Sequence, residues 1–88
     1  MLIRCQDENK RVEISGLCID VDISDDEYDG KYEICASSDS DTYWTLGKYT
    51  SRNKAFKVMN MIDEAYNQFE SGFNIEVFQM PKDKDVEV

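Results

Sequence analysis

The sequence predicts an α+β domain, in which an antiparallel sheet of five to six strands carries one long helix packed on one face. Up to residue 49, apolar residues alternate with polar ones or cluster in short runs, which is typical of strands. From residue 51 they recur at steps of three and four, which is typical of an amphipathic helix. The 88 residues suffice for one domain. We expect that domain over residues 1–80, followed by a charged C-terminal tail, residues 81–88, that frays.

Most of the predicted strands precede the helix, and one follows it. The polar residues Asp7, Glu8 and Asn9 suit a tight turn between the first two strands. The segment from Leu17 to Ile23 alternates with period two, as expected of a half-buried strand. The predicted strands cover residues 1–6, 10–15, 17–23, 31–36, 42–49 and 73–80.

The helical pattern extends over residues 52–71. Thr50 or Ser51 can cap its start, and Gly72 stands where a glycine often ends a helix. One apolar stripe runs along the helix, and it should pack on the sheet. The residues that we expect this stripe to bury are Val58, Met59, Ile62, Tyr66 and Phe69.

A single helix covers only one face of such a sheet, yet the strands predict apolar side chains on both faces. Trp44 and Leu46 alternate with Tyr43 and Tyr49 along one strand. A second covered face would need a second chain or another partner. The sequence therefore predicts a homo-oligomer, a homodimer or larger, although twist and strand ends could bury much of this surface in a monomer.

The chain is acidic, with 19 acidic against 10 basic residues and a formal net charge of −9. Such a surface repels nucleic acid and anionic lipid, so we expect neither direct nucleic-acid binding nor a membrane partner. No apolar run resembles a signal peptide or approaches the ~18 residues of a membrane span. The three cysteines lack CxxC spacing, which favours reduced thiols. These observations together predict a cytoplasmic protein.

Histidine is absent from the sequence. This removes the commonest general base and the commonest metal ligand, and it leaves the cysteines without a base to activate them. The sequence therefore predicts a protein that is not an enzyme, with no catalytic residues, no metal site and no cofactor.

An acidic segment over residues 20–29 is the first candidate site. Carboxylates at strand-like spacing resemble the charge pattern of a phosphate backbone and could occupy a basic groove on another protein. The predicted protein-binding surface consists of Asp20, Asp22, Asp25, Asp26, Glu27 and Asp29.

The same segment partly matches a calcium-binding EF-hand loop. Asp25, Glu27, Asp29 and Gly30 correspond to positions 1, 3, 5 and 6 of that loop. Position 12, where the loop needs a bidentate Glu, is Ala36, and strands flank the segment instead of helices. We therefore expect no tight calcium site.

A basic cluster around the helix N-terminus is the alternative site. Cations are disfavoured there by the helix dipole, so their presence favours an anion or nucleotide site built with free backbone N–H groups. The same cations could instead point away and offset nearby carboxylates. The residues concerned are Lys48, Thr50, Ser51, Arg52, Lys54 and Lys57.

Two segments carry a resemblance to a known group. The opening MLIRCQD, residues 1–7, and LGKYTS, residues 46–51, followed by a helix with Ala55, Val58 and Ile62, resemble a loose group of short proteins. These are encoded by Gram-positive bacteria, their phages and prophages. Cys5 stands where that group has serine, and Asn53 with Lys54 where acidic residues are usual.

The resemblance implies an accessory protein of a mobile element. We expect a non-enzymatic binding protein, an acidic inhibitor of a bacterial defence protein that acts by protein–protein contact. The alternative is a small-molecule sponge that binds a nucleotide signal at the basic helix N-terminus. The partner of the first would be a host or bacterial protein.

Overall fold

A computed structural model describes residues 1–23, 32–38, 42–72 and 77–87. Within these ranges the fold is α+β, as predicted, with one α-helix and six strands. The elements are β1 (Leu2–Arg4), β2 (Arg11–Glu13), β3 (Cys18–Ile23), β4 (Tyr32–Ser37), β5 (Tyr43–Tyr49), α1 (Arg52–Glu70), β6 (Val77–Gln79) and a short 3₁₀ turn (Asp83–Asp85).

The strands form two three-stranded sheets, so the expectation of a single antiparallel sheet is wrong. The first sheet has the order β2-β1-β6, and the second has the order β3-β4-β5. β6 pairs parallel to β1, while the other pairs are antiparallel. A parallel pair needs a long crossover, and the chain between β1 and β6 supplies one that contains α1. The sheets meet where Gln6 N–H donates to the Leu46 carbonyl, at 2.9 Å.

Most of the large apolar side chains of the second sheet lie on its inner face. Paired residues of an antiparallel sheet share a face. Ile19 pairs with Ala36 and Val21 with Ile34, and Ile34 and Ala36 are fully buried in the core. This core also contains Ile3 and other residues of the first sheet, together with the buried side of α1.

A β-bulge in β5 brings more of its apolar side chains to the inner face than strict alternation predicts. The pairing shifts between Ile34 and Cys35, which leaves Leu46 without a partner in β4. Leu46 and Tyr49, which strict alternation would place on opposite faces, are both buried because of this bulge. Trp44 pairs with the buried Ala36, on the inner face. Tyr43 pairs with Ser37 on the outer face and is 67% exposed, so an aromatic side chain does lie there. The homo-oligomer stays a prediction.

Helix α1 begins and ends close to the predicted positions. Ser51 is the N-cap, and its Oγ accepts from the Lys54 N–H at 3.2 Å. Gly72 has a φ of 87°, the left-handed conformation that glycine adopts at a helix C-terminus. The structure thus selects Ser51 from the two predicted caps.

The buried side of α1 differs in part from the predicted stripe. Tyr66 and Phe69 are 39% and 41% exposed, so their predicted burial is wrong. They belong to the last turns of the helix and contact each other, with ring centroids 6.3 Å apart. The fully buried stripe of the helix therefore ends at Ala65. The buried residues are Ala55, Val58, Ile62 and Ala65, with Met59 half-buried.

The C-terminal segment 81–87 is packed against the domain, in contrast to the frayed tail that we expected. Val86 is 5% exposed and belongs to the core. The Tyr49 hydroxyl donates to the Pro81 carbonyl at 2.7 Å. The apolar Val86 and the Tyr49–Pro81 hydrogen bond therefore hold a segment whose composition alone looks solvent-exposed.

Candidate protein-binding surface

The described part of the predicted acidic surface lies on the outer face of β3. Asp20 and Asp22 are exposed on this strand, which forms one edge of the second sheet. The remaining predicted residues lie outside the described residues, as does the part of the EF-hand-like match at positions 25–30. These remaining residues are Asp25, Asp26, Glu27 and Asp29.

A row of charged side chains crosses the outer face of the second sheet. Asp22 pairs with Glu33, and Glu33 pairs with Lys48. The Lys48 Nζ lies 3.3 Å from the Glu33 Oε1. Directly opposed like charges destabilise a sheet, so the Asp22–Glu33 pair has a local cost that the single ammonium of this row offsets only in part. Asp20 lies two residues from Asp22 on the same face of β3, so this face is negative beside the edge that has no neighbouring strand among the described residues.

The cysteines are free thiols, as predicted. Cys35 pairs with Asp20 on the outer face, and its Sγ is 3.9 Å from the Glu33 Oε2. Burial raises the pKa of the Cys35 thiol, and burial likewise raises the pKa of Cys5. A raised pKa keeps a thiol protonated and unreactive, so Cys5 and Cys35 have the character of packing residues.

The predicted anion site is not assembled as one cluster. Lys48 lies on the outer face of β5 beside Glu33. The Arg52 guanidinium lies over the Phe56 ring, 5.0 Å from its centroid. The Lys57 Nζ donates to the carbonyl of Glu87. Of the predicted residues, only Thr50, Ser51 and Lys54 come together at the helix start.

The chain itself supplies an anion to this helix start. The Thr50 N–H and Oγ1 donate to the Asp83 Oδ1, at 2.8 and 3.0 Å. The Lys54 Nζ donates to the Asp83 carbonyl at 2.9 Å and lies 3.4 Å from its carboxylate. These contacts, led by the Thr50 N–H, lower the pKa of Asp83 from its ordinary value of 3.8. Asp83 thus binds where a phosphate was predicted, and no local pattern in the charged C-terminal sequence marks it.

The two segments that carry the sequence resemblance contribute Gln6, Gly47 and Tyr49 to one structural joint, where both sheets meet the C-terminal segment. The Gln6 amide accepts from the Lys48 N–H at 2.7 Å and donates to the Lys48 and Pro81 carbonyls at 3.0 and 3.1 Å. Its side chain therefore pairs with β5 as a neighbouring strand would. A Cβ at Gly47 would lie 3.1 Å from the Gln6 Cδ and 3.2 Å from the Tyr49 ring, so glycine allows both to approach. Burial raises the pKa of Tyr49, whose hydroxyl stays a donor.

A groove of about 500 Å³ lies between β2 and the start of β5. Trp44 is 38% exposed there, while Tyr49 is fully buried. The groove combines an aromatic wall with charges of both signs, which indicates no single class of ligand. Its lining residues are Lys10, Arg11, Val12, Glu13 and Trp44.

Within the described ranges, no group of three or more His, Cys, Asp or Glu residues is placed to hold a metal ion. No helix in this part of the chain combines the length and the hydrophobicity that crossing a membrane requires.

Comparisons with protein-family models, curated proteins and solved structures found no match. The function is therefore argued from the residues themselves.

Proposed function

We propose that this chain is a non-enzymatic binding protein that acts by protein–protein contact through its acidic surface. The observation that carries the proposal is the placement of Asp20 and Asp22, exposed side by side on the outermost strand of the second sheet. Asp22 also opposes Glu33, and a basic groove on a partner would relieve the repulsion between them. The net charge of −9 supports a protein partner over nucleic acid or an anionic membrane.

The biological setting in this proposal rests on the sequence resemblance. It is that of a phage or mobile-element protein in the bacterial cytoplasm, with a host defence protein as its target. The carboxylates of Asp25, Asp26, Glu27 and Asp29 belong to the proposed surface on sequence grounds.

Charge reversal tests this proposal. Asp20→Lys/Asp22→Lys should abolish the capture of a target from bacterial lysate, and the parent should release that target as salt rises, because screening weakens electrostatic contacts. The matched control is Asp63→Lys/Glu64→Lys, which changes the net charge equally at exposed helix positions. Equal loss in both double variants would mean that net charge alone matters, and no loss in either would refute the acidic surface.

A nucleotide sponge remains the second candidate, because the Thr50 and Lys54 donors do converge on a carboxylate. A phosphate would have to displace Asp83 to reach them. Thermal stabilisation of the parent by added nucleotides, lost in Lys54→Ala but kept in Asp20→Lys/Asp22→Lys, would favour the sponge. No stabilisation by nucleotides would remove it.

A further inference from the structure

We propose that the edge of β3 that has no neighbouring strand among the described residues, here called its free edge, takes up an extended segment of the partner protein. This segment would form an additional antiparallel strand in which Lys or Arg alternates with apolar residues. This inference rests on the proposed function and specifies how the acidic surface would engage its partner. β3 has six residues and is the outermost strand of its sheet. A free edge of this length is a template for strand addition, in which backbone hydrogen bonds provide affinity and side-chain alternation provides specificity.

The hydrogen bonds of Lys48 determine which backbone groups of β3 face outward. Its N–H and C=O both bond to Gln6, so they point away from β4. Directly paired residues in an antiparallel sheet point either toward each other or away from each other. Glu33, paired with Lys48, therefore points toward β3, and Asp22 points back toward Glu33. By alternation, the N–H and C=O groups of residues 19, 21 and 23 point toward the free edge.

The two faces that flank this edge differ in chemistry. Asp20 and Asp22 project from the outer face, whereas Ile19, Val21 and Ile23 belong to the inner face. Ile23 is 72% exposed, a large apolar side chain without cover at the edge. A shallow groove of about 220 Å³ lies beside it, and an added strand would extend the inner face over this groove. The groove is lined by Val21, Ile23, Tyr32, Arg52 and Phe56.

Charge complementarity selects the occupant. A second copy of this chain that paired through β3 about a two-fold axis would place Asp20 and Asp22 opposite the same carboxylates. Opposed like charges destabilise a strand pair, and edge charges are a known protection against self-pairing. A strand with cations on its outer face reverses this effect at both aspartates. Apolar residues at its intervening positions would cover Ile23 on the inner face.

The probe is an acetylated, amidated heptapeptide, Lys-Val-Lys-Val-Lys-Val-Lys, titrated into the ¹⁵N-labelled full chain. The largest amide shifts are expected at Ile19, Val21 and Ile23. Paired residues share a face, so the valines oppose these residues and their N–H groups point toward β3. N-methylation of the valines should therefore weaken binding about tenfold or more, since several backbone hydrogen bonds are lost. N-methylation of the lysines, whose N–H groups point to solvent, should preserve binding.

Two substitutions of Ile23 test the same backbone hydrogen bonds from the β3 strand. Ile23→Pro removes an outward N–H without removing a bond to β4, which an edge strand tolerates. Ile23→Thr removes the apolar side chain and keeps the N–H. Proline should weaken peptide binding about tenfold relative to threonine, with both variants folded by circular dichroism.

Equal binding by the two N-methylated peptides, or no shift at residues 19, 21 and 23 with the parent peptide, would overturn strand addition. The proposed electrostatic function would survive that result, because it is tested separately by charge reversal at Asp20 and Asp22. Loss of target capture in Asp20→Lys/Asp22→Lys would support the acidic surface, and the peptide titration would decide whether the partner binds there by strand addition.

Discussion

Substitution of Gln6 by alanine should strongly destabilise the domain, because this side chain connects three separate parts of the chain. Gln6 makes hydrogen bonds to the Lys48 N–H, the Lys48 carbonyl and the Pro81 carbonyl. At about 0.5–1.5 kcal/mol for each bond, Gln6→Ala should lower the free energy of unfolding by about 2–4 kcal/mol. Total stability at this chain length is of the order of 4–13 kcal/mol, so this is a large fraction.

Urea unfolding followed by circular dichroism measures the effect of Gln6→Ala, and an unchanged m-value would show that the change lies in stability. Gln6→Glu should be no more stable than Gln6→Ala, since a carboxylate keeps the acceptor for Lys48 N–H but faces two carbonyls. Gln68→Ala, an exposed glutamine on α1, is the matched control and should change stability by less than about 0.5 kcal/mol. If Gln6→Ala lost as little unfolding free energy as Gln68→Ala, the stabilising role of the joint would be refuted.

Three further outcomes are expected. Ile62→Ala should cost about 2–4 kcal/mol in urea unfolding because Ile62 is buried, whereas Phe69→Ala should cost less than half as much because Phe69 is 41% exposed; equal losses would contradict the observed burial. Asp83→Asn should destabilise at neutral pH. Because the folded-state pKa of Asp83 is lowered, its contribution to stability is present above the ordinary value of 3.8 and is lost as pH falls through the folded-state value. The difference in unfolding free energy between Asp83→Asn and the parent should therefore vanish in acid, and a constant difference would contradict the pairing. Asp20→Thr/Asp22→Thr should increase self-association in sedimentation experiments, and a parent and variant of equal mass would argue against edge protection.

The elements could be predicted from sequence because their signals are local. Six strands and one helix occur where period-two and period-3.6 patterns place them, and Ser51 and Gly72 mark the helix ends by their own backbone chemistry. Such patterns report whether a residue is half-buried within a strand. They do not report which strand is its neighbour, so the division into two sheets and the parallel β1–β6 pair were missed.

The details of the candidate sites depended on contacts between distant residues. The bulge at Leu46 moves Tyr49 to the inner face, which a strict alternation cannot anticipate. Asp83 lies 33 positions from Thr50 along the chain and still binds its N–H. Local sequence showed that the helix start favours an anion, but only the folded chain shows that the anion is its own carboxylate.

The residues that are engaged within the fold narrow the choice of functional surface. Gln6, Gly47 and Tyr49, from the segments that carry the resemblance, meet at a joint between the sheets and the C-terminal segment, so their role in this chain is structural. The donors at the helix start are bound by Asp83. The edge of β3 is engaged by no contact among the described residues, and two exposed carboxylates, an exposed isoleucine and outward backbone groups lie within this one strand of six residues. This edge is costly to keep exposed and no contact within the described fold uses it, so a binding partner would stabilise it most. Strand addition would pair the carboxylates with cations, cover the isoleucine and bond the outward backbone groups.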